Sequence, residues 1–94
     1  MAGCFLEVDF PSRISEEDFQ DACDEAFDYI VEITPVDEGY CQSRWENNSS
    51  YPTLLFENDC DYAEYLDDGW SKQAPNGMTR PTLSFVKRRV QGYE

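Results

Sequence analysis

A chain of 94 residues with a net charge of −13 makes one domain at most, with a modest core. So acidic a protein is a poor match for a general nucleic-acid binder, which needs bases against phosphates. It has no histidine, which excludes Ser-His-Asp and Cys-His chemistry and removes the commonest general base.

Residues 1–12 alternate Phe5, Val8 and Phe10 with Glu7 and Asp9, and Pro11 ends the run. The pattern predicts an edge strand or an arm docked on a neighbour. Next comes an amphipathic helix. Ser15 is placed to cap it, and Glu16, Glu17 and Asp18 sit where the helix dipole favours negative charge. Ile14 and Phe19 occupy the two positions of a hydrophobic staple. Phe19, Ala22, Cys23, Ala26, Ile30 and Ile33 recur at spacings of three and four, which puts them on one face. Glu17, Asp21, Asp24, Glu25, Asp28 and Glu32 cover the rest. Thr34 before Pro35 disfavours further helix.

Pro35 to Gly39 reads as a turn. Residues 40–46 read as a strand with Tyr40, Gln42, Arg44 and Glu46 on one side and Cys41, Ser43 and Trp45 on the other. A loop at 47–50 leads to a second strand at 51–57 with Leu54 and Phe56 inward, and the two strands are expected to form a hairpin. Pro52 near its start suits an edge position. Residues 61–69 predict a short helix, capped by Asp59 or Asp61, with Tyr62, Tyr65 and Leu66 on one face and Gly69 as its stop. A loop follows, with an Asn76-Gly77 turn signal. The last segment fits a strand through Leu83 and Phe85, or a short helix through Leu83, Val86 and Val90 with Pro81 near its first turn; the helix is the expectation. The whole is an α+β fold in a single domain, 1–94: an N-terminal amphipathic helix packed on a small antiparallel β-sheet, with a short second helix, a long interface loop and a short C-terminal element.

The charge is unevenly placed. Of 20 acids, 19 lie in residues 1–68, where Arg13 and Arg44 are the only bases. Residues 69–94 hold Lys72, Arg80, Lys87, Arg88 and Arg89 against Glu94. An acidic body with a basic end suits head-to-tail packing of identical subunits. The plainer alternative is solvated charge that keeps the protein soluble. The 15% aromatic content also has two readings, a compact aromatic core or surface completed by neighbouring subunits. Four cysteines without a C-x-x-C pair, and no histidine, argue against zinc. With no secretory leader evident, reduced and mostly buried thiols are expected. No apolar run reaches membrane-spanning length.

Little here can carry catalysis. Asp67 and Asp68 read as a solvated helix end, since neighbours in sequence rarely converge on one ligand. A calcium loop counted from Asp59 fails because its sixth residue is Glu64 where glycine is required. No cofactor, metal or enzymatic activity is expected.

Two blocks remain, "ITPVDEGYCQSRW" after the long helix and "YAEYLDDGWSKQAPNGM" after the hairpin. Together they resemble the neck, or tail-completion, proteins of tailed bacteriophages. In that family a helix runs into a T-P-V-D-[TS]-G turn and an R-x-x-W strand. A hairpin then leads to Y-A-x-x-[LV]-E-x-G-x-S-x-Q-A-P-x-G-[MF]. Thr34, Pro35, Val36, Asp37, Gly39 and Trp45 match the first pattern. Tyr62, Ala63, Leu66, Gly69, Ser71, Gln73, Ala74, Pro75, Gly77 and Met78 match the second. The likeness covers roughly residues 15–85; Glu38 replaces a small hydroxyl residue, and Asp68 follows Asp67 where an acid and then any residue is usual.

The resemblance implies a structural virion protein at the head–tail junction, forming a homo-oligomeric ring, hexameric or dodecameric, around the DNA channel. Other neck, portal-adaptor and tail proteins would be its partners. DNA would pass without sequence-specific binding, and no membrane is involved. Residues 70–81 become an inter-subunit loop, with Trp70, Ser71, Lys72, Gln73, Pro75, Met78 and Arg80 as candidate interface residues. Trp70 is the candidate plug into a neighbour, since tryptophan is enriched at interface hot spots. Glu17, Asp21 and Asp28 are candidate channel-facing acids that would repel phosphates. The charge alone also fits an acidic DNA mimic that inhibits a host nucleic-acid-binding protein, and the acid clusters a small metal-dependent enzyme.

Overall fold

The computed structural model describes residues 3–34, 40–61, 63, 67 and 76–93. Strand β1 (Cys4–Asp9) comes first, then helix α1 (Glu16–Ile33), one helical turn α2 (Tyr40–Ser43), strands β2 (Trp45–Asn47) and β3 (Thr53–Asn58), and helix α3 (Thr79–Gly92). The sheet is antiparallel in the order β1-β3-β2, which gives the expected α+β class with an edge strand leading into the long helix.

The start of α1 follows its sequence signals. The Ser15 hydroxyl accepts from Asp18 N at 3.1 Å. Ile14 and Phe19 are both buried in the main core. Phe19, Ala22, Cys23, Ala26 and Ile30 form the inward face, while Glu17, Asp21, Asp24, Glu25, Asp28 and Glu32 are exposed. At the far end Thr34 is extended, with ψ 130°, as a residue before proline must be.

The core is filled by aromatic and aliphatic side chains from both layers. Leu6, Leu54 and Phe56 rise from the sheet to meet α1, with Val86 from α3 beside them. Phe27 meets Phe56 edge-on at 5.3 Å, Phe10 meets Phe19 at 4.9 Å, and Tyr29 stacks on Phe85 at 4.9 Å. Such pairs add about 0.5–1.5 kcal/mol each beyond their buried area. The compact aromatic core is therefore the better of the two readings for the described residues, with Phe5 as the main exception.

Four sequence expectations need correction. Residues 40–43 form a helical turn, and the strand begins only at Trp45. The turn lets Gln42 Nε2 donate to Val31 O at 3.0 Å, a second donor beside Thr34 N for a carbonyl at an α1 end that carries no base in its last turn. Pro52 does not mark an edge: β3 is the central strand, and Pro52 lies in the turn just before it, where its carbonyl accepts from Phe10 N at 2.8 Å. The C-terminal segment is the expected helix and not a strand, but at 14 residues it is longer than the short element expected. Cys60, expected as a reduced thiol, is disulfide-bonded. It lies fully buried just beyond β3, beside Ala63 and with Cys4 packed against it. Cys23 fits the expectation of a buried thiol, and burial pushes it up to about 11. Among the described residues, no helix is long and apolar enough to cross a membrane.

Candidate functional site

The two sequence blocks are each closed by a hydrogen-bonded clasp. In the first, Trp45 Nε1 donates to Thr34 Oγ1 at 2.7 Å, and the same hydroxyl donates to Ile30 O at 2.6 Å. Thr34 is 2% and Trp45 6% exposed, so this relay lies inside the core. It ties the start of β2 to the end of α1, 11 residues earlier in the chain. A buried indole N–H needs a partner, and the threonine that caps the end of α1 is in place to supply one.

In the second block Asp67 reaches forward to the N-terminus of α3. Its Oδ1 accepts from Met78 N at 2.9 Å and Thr79 N at 2.8 Å, and Thr79 Oγ1 donates to Oδ2 at 2.8 Å. Helix α3 has no cap from its own N-cap residue, Met78. A carboxylate from 11 residues earlier does that work, where exposed N–H groups and the helix dipole favour negative charge. Gly77 makes the approach possible. Its φ is +80°, and a Cβ there would lie 2.1 Å from the carbonyl oxygen of Asp67. Glycine is needed both for the conformation and for the space. Met78 then turns fully into the core.

The candidate interface residues are thereby divided. Trp70, Ser71, Lys72, Gln73 and Pro75 lie outside the described residues. Met78 does not serve as an interface residue, because its side chain is completely buried in the chain's own core. Arg80 is exposed on the first turn of α3. Glu17, Asp21 and Asp28 stand together on the outer face of α1, all exposed, and the clasps do not bring them to either block. Asp67, which in sequence reads as part of a solvated helix end, is the functional residue that local pattern does not reveal. The available signal was the acid of the second motif block, which falls on position 67.

No three histidine, cysteine, aspartate or glutamate side chains among the described residues converge as a metal site. Comparison with known proteins finds no likeness: no family model matches the chain, and neither a curated protein nor a solved structure does.

Proposed function

We propose that this chain is a structural subunit of the head–tail junction of a tailed bacteriophage, assembled as a homo-oligomeric ring around the DNA channel and therefore located in the virion. The observation that carries the reading is the second clasp. The acid, the glycine and the apolar residue of the motif block fall on Asp67, Gly77 and Met78, and each has a distinct physical task there. Residues 67 and 77 meet, so the two ends of the intervening segment are held together on the domain. A segment held at its base in this way can reach a neighbouring subunit without unsettling the core. Trp70, Lys72, Gln73 and Pro75 belong to that segment.

The acids of α1 give the ring a further property. Glu17, Asp21 and Asp28 on a channel wall repel phosphates, so DNA slides past without sequence-specific contact. The protein has no catalytic task in this reading and acts through its neck, portal-adaptor and tail partners. Electron microscopy of a lysate from a phage with a stop codon in this gene tests it. Full heads beside separate finished tails are the expected result. Normal joined virions would remove the chain from head–tail assembly and favour the acidic DNA mimic instead.

A further inference from the structure

Among the described residues, the helices cover one face of the sheet and none covers the other. Leu6 and Val8 of β1 pack toward α1 and α3, whereas Phe5, Glu7 and Asp9 are exposed on the opposite side. On that open face the strand register sets Phe5 beside Glu57, and Glu57 beside Glu46. Carboxylates directly opposite one another on neighbouring strands repel. Asn48 Nδ2 donates to Glu57 Oε1 at 2.9 Å and reaches Glu46 Oε2 at 3.5 Å, but a neutral amide leaves both charges in place. Phe5 is 65% exposed, more than any other large apolar side chain described. A groove of about 600 Å³ runs along this end of the sheet, walled by Phe5, Glu46, Glu57 and Asp61. The base on its wall, Arg44, is bound to Asp59.

Helix α3 carries the complementary surface. Arg80, Lys87 and Arg88 are exposed, and their spacing of seven and eight residues places them on one side of the helix, in a row roughly 10–12 Å long. None of the three makes an ion pair among the described residues, although the chain has 20 acids for 7 bases. Arg89, one step round the helix, is different: its Nε lies 2.7 Å from Glu25 Oε2 of α1. Within one copy Phe5, Glu46 and Glu57 lie on the face of the sheet opposite the one that α3 packs against.

We propose that the groove beside Phe5 receives the Arg80, Lys87 and Arg88 face of a second copy of this chain. The contact joins two different surfaces, so repetition builds a ring or a filament and not a closed two-fold dimer. A guanidinium entering the groove finds an aromatic face in Phe5 and the Glu46–Glu57 carboxylates together, which relieves their repulsion. Double-stranded DNA is the weaker occupant for the basic row, because three bases on a chain of net charge −13 approach a polyanion against a repulsive field. The inference rests on the ring reading and names the two surfaces it would use.

Charge swaps test it. Sedimentation velocity on the whole chain at low salt compares the wild type with Glu46→Lys/Glu57→Lys and with Lys87→Glu/Arg88→Glu, with circular dichroism to verify the fold. The wild type is expected to self-associate, and each double variant to do so roughly tenfold or more weakly. Mixing the two variants restores association, because each then meets an opposite charge. Added salt weakens the wild-type contact. Association that persists unchanged in both variants overturns this contact and leaves the ring reading standing. A wild-type chain that stays monomeric, or a basic row whose reversal abolishes binding of a DNA duplex and leaves self-association intact, also overturns it. The stop-codon phage judges the head–tail reading independently, so the two fail separately.

Discussion

The two clasps perform one task by different physics. Both bring together residues about eleven apart and hold a segment at its base. Thr34 and Trp45 do so with neutral groups inside the core. Asp67 does so with a carboxylate, partly buried, against the N-terminus of α3. The first draws its strength from the cost of leaving a buried donor or acceptor unmet. The second draws on charge, the helix dipole and a glycine that lets two stretches of backbone touch. The first should be indifferent to salt and the second sensitive to it, and mutations can tell them apart.

The largest effect is expected at Gly77. Gly77→Ala puts a Cβ 2.1 Å from the Asp67 carbonyl oxygen and forces a side chain onto φ +80°. Overlap and strain together cost about 3–5 kcal/mol. For a domain of this size that lowers Tm by more than ~10 °C. A thermal scan that finds Gly77→Ala within a few degrees of wild type would mean that the backbone approach is dispensable.

Trp45→Phe comes next. The ring still fills the core, but the donor to Thr34 Oγ1 is lost, and the cost is about 1–2 kcal/mol by urea unfolding. That cost should be the same at low and high salt. Asp67→Ala is expected to lose about 1–2 kcal/mol as a capping residue, and Asp67→Asn roughly half of that. Here the difference between Asp67→Asn and wild type should shrink as salt rises. Equal salt dependence for Trp45→Phe and Asp67→Asn would erase the contrast between the two clasps.

The sequence makes some of this legible and hides the rest for physical reasons. Helix α1 follows from local rules alone, since its cap, staple and inward face are all set within a few residues. The β2–β3 pairing is likewise visible in two short runs separated by turn residues. At residues 40–43 the alternation suits a strand, whereas the turn found there makes its contact from Gln42 back to Val31, 11 residues away. Asp67 is a like case: its partners begin at Met78, and next to Asp68 it has the look of a solvated helix end. Proline in a strand suits an edge position, but Pro52 belongs to the turn that precedes the central strand. Where a residue's partner lies beyond its own element, periodicity carries no record of it. A motif block can, because it keeps both partners in one pattern.

The smallest effect is expected beside the first clasp. Arg44 immediately precedes Trp45, and its Nε donates to Asp59 Oδ1 at 2.6 Å in a bidentate pair across the mouth of the groove. The hydrogen bond from Arg44 holds the Asp59 carboxyl below its usual range, and the guanidinium charge adds to it. The folded chain therefore binds a proton there less readily than the unfolded chain does. The stabilisation is complete above the ordinary carboxylate range and is lost as pH falls through the lowered value. Both side chains are well exposed, so the pair contributes little at neutral pH. Asp59→Asn should leave Tm at pH 7 almost unchanged and flatten part of the acid limb as pH falls below the ordinary carboxylate range. A loss at pH 7 as large as that of Trp45→Phe would instead show that the exposed pair holds β2 in register, and that the buried clasp does not hold it alone.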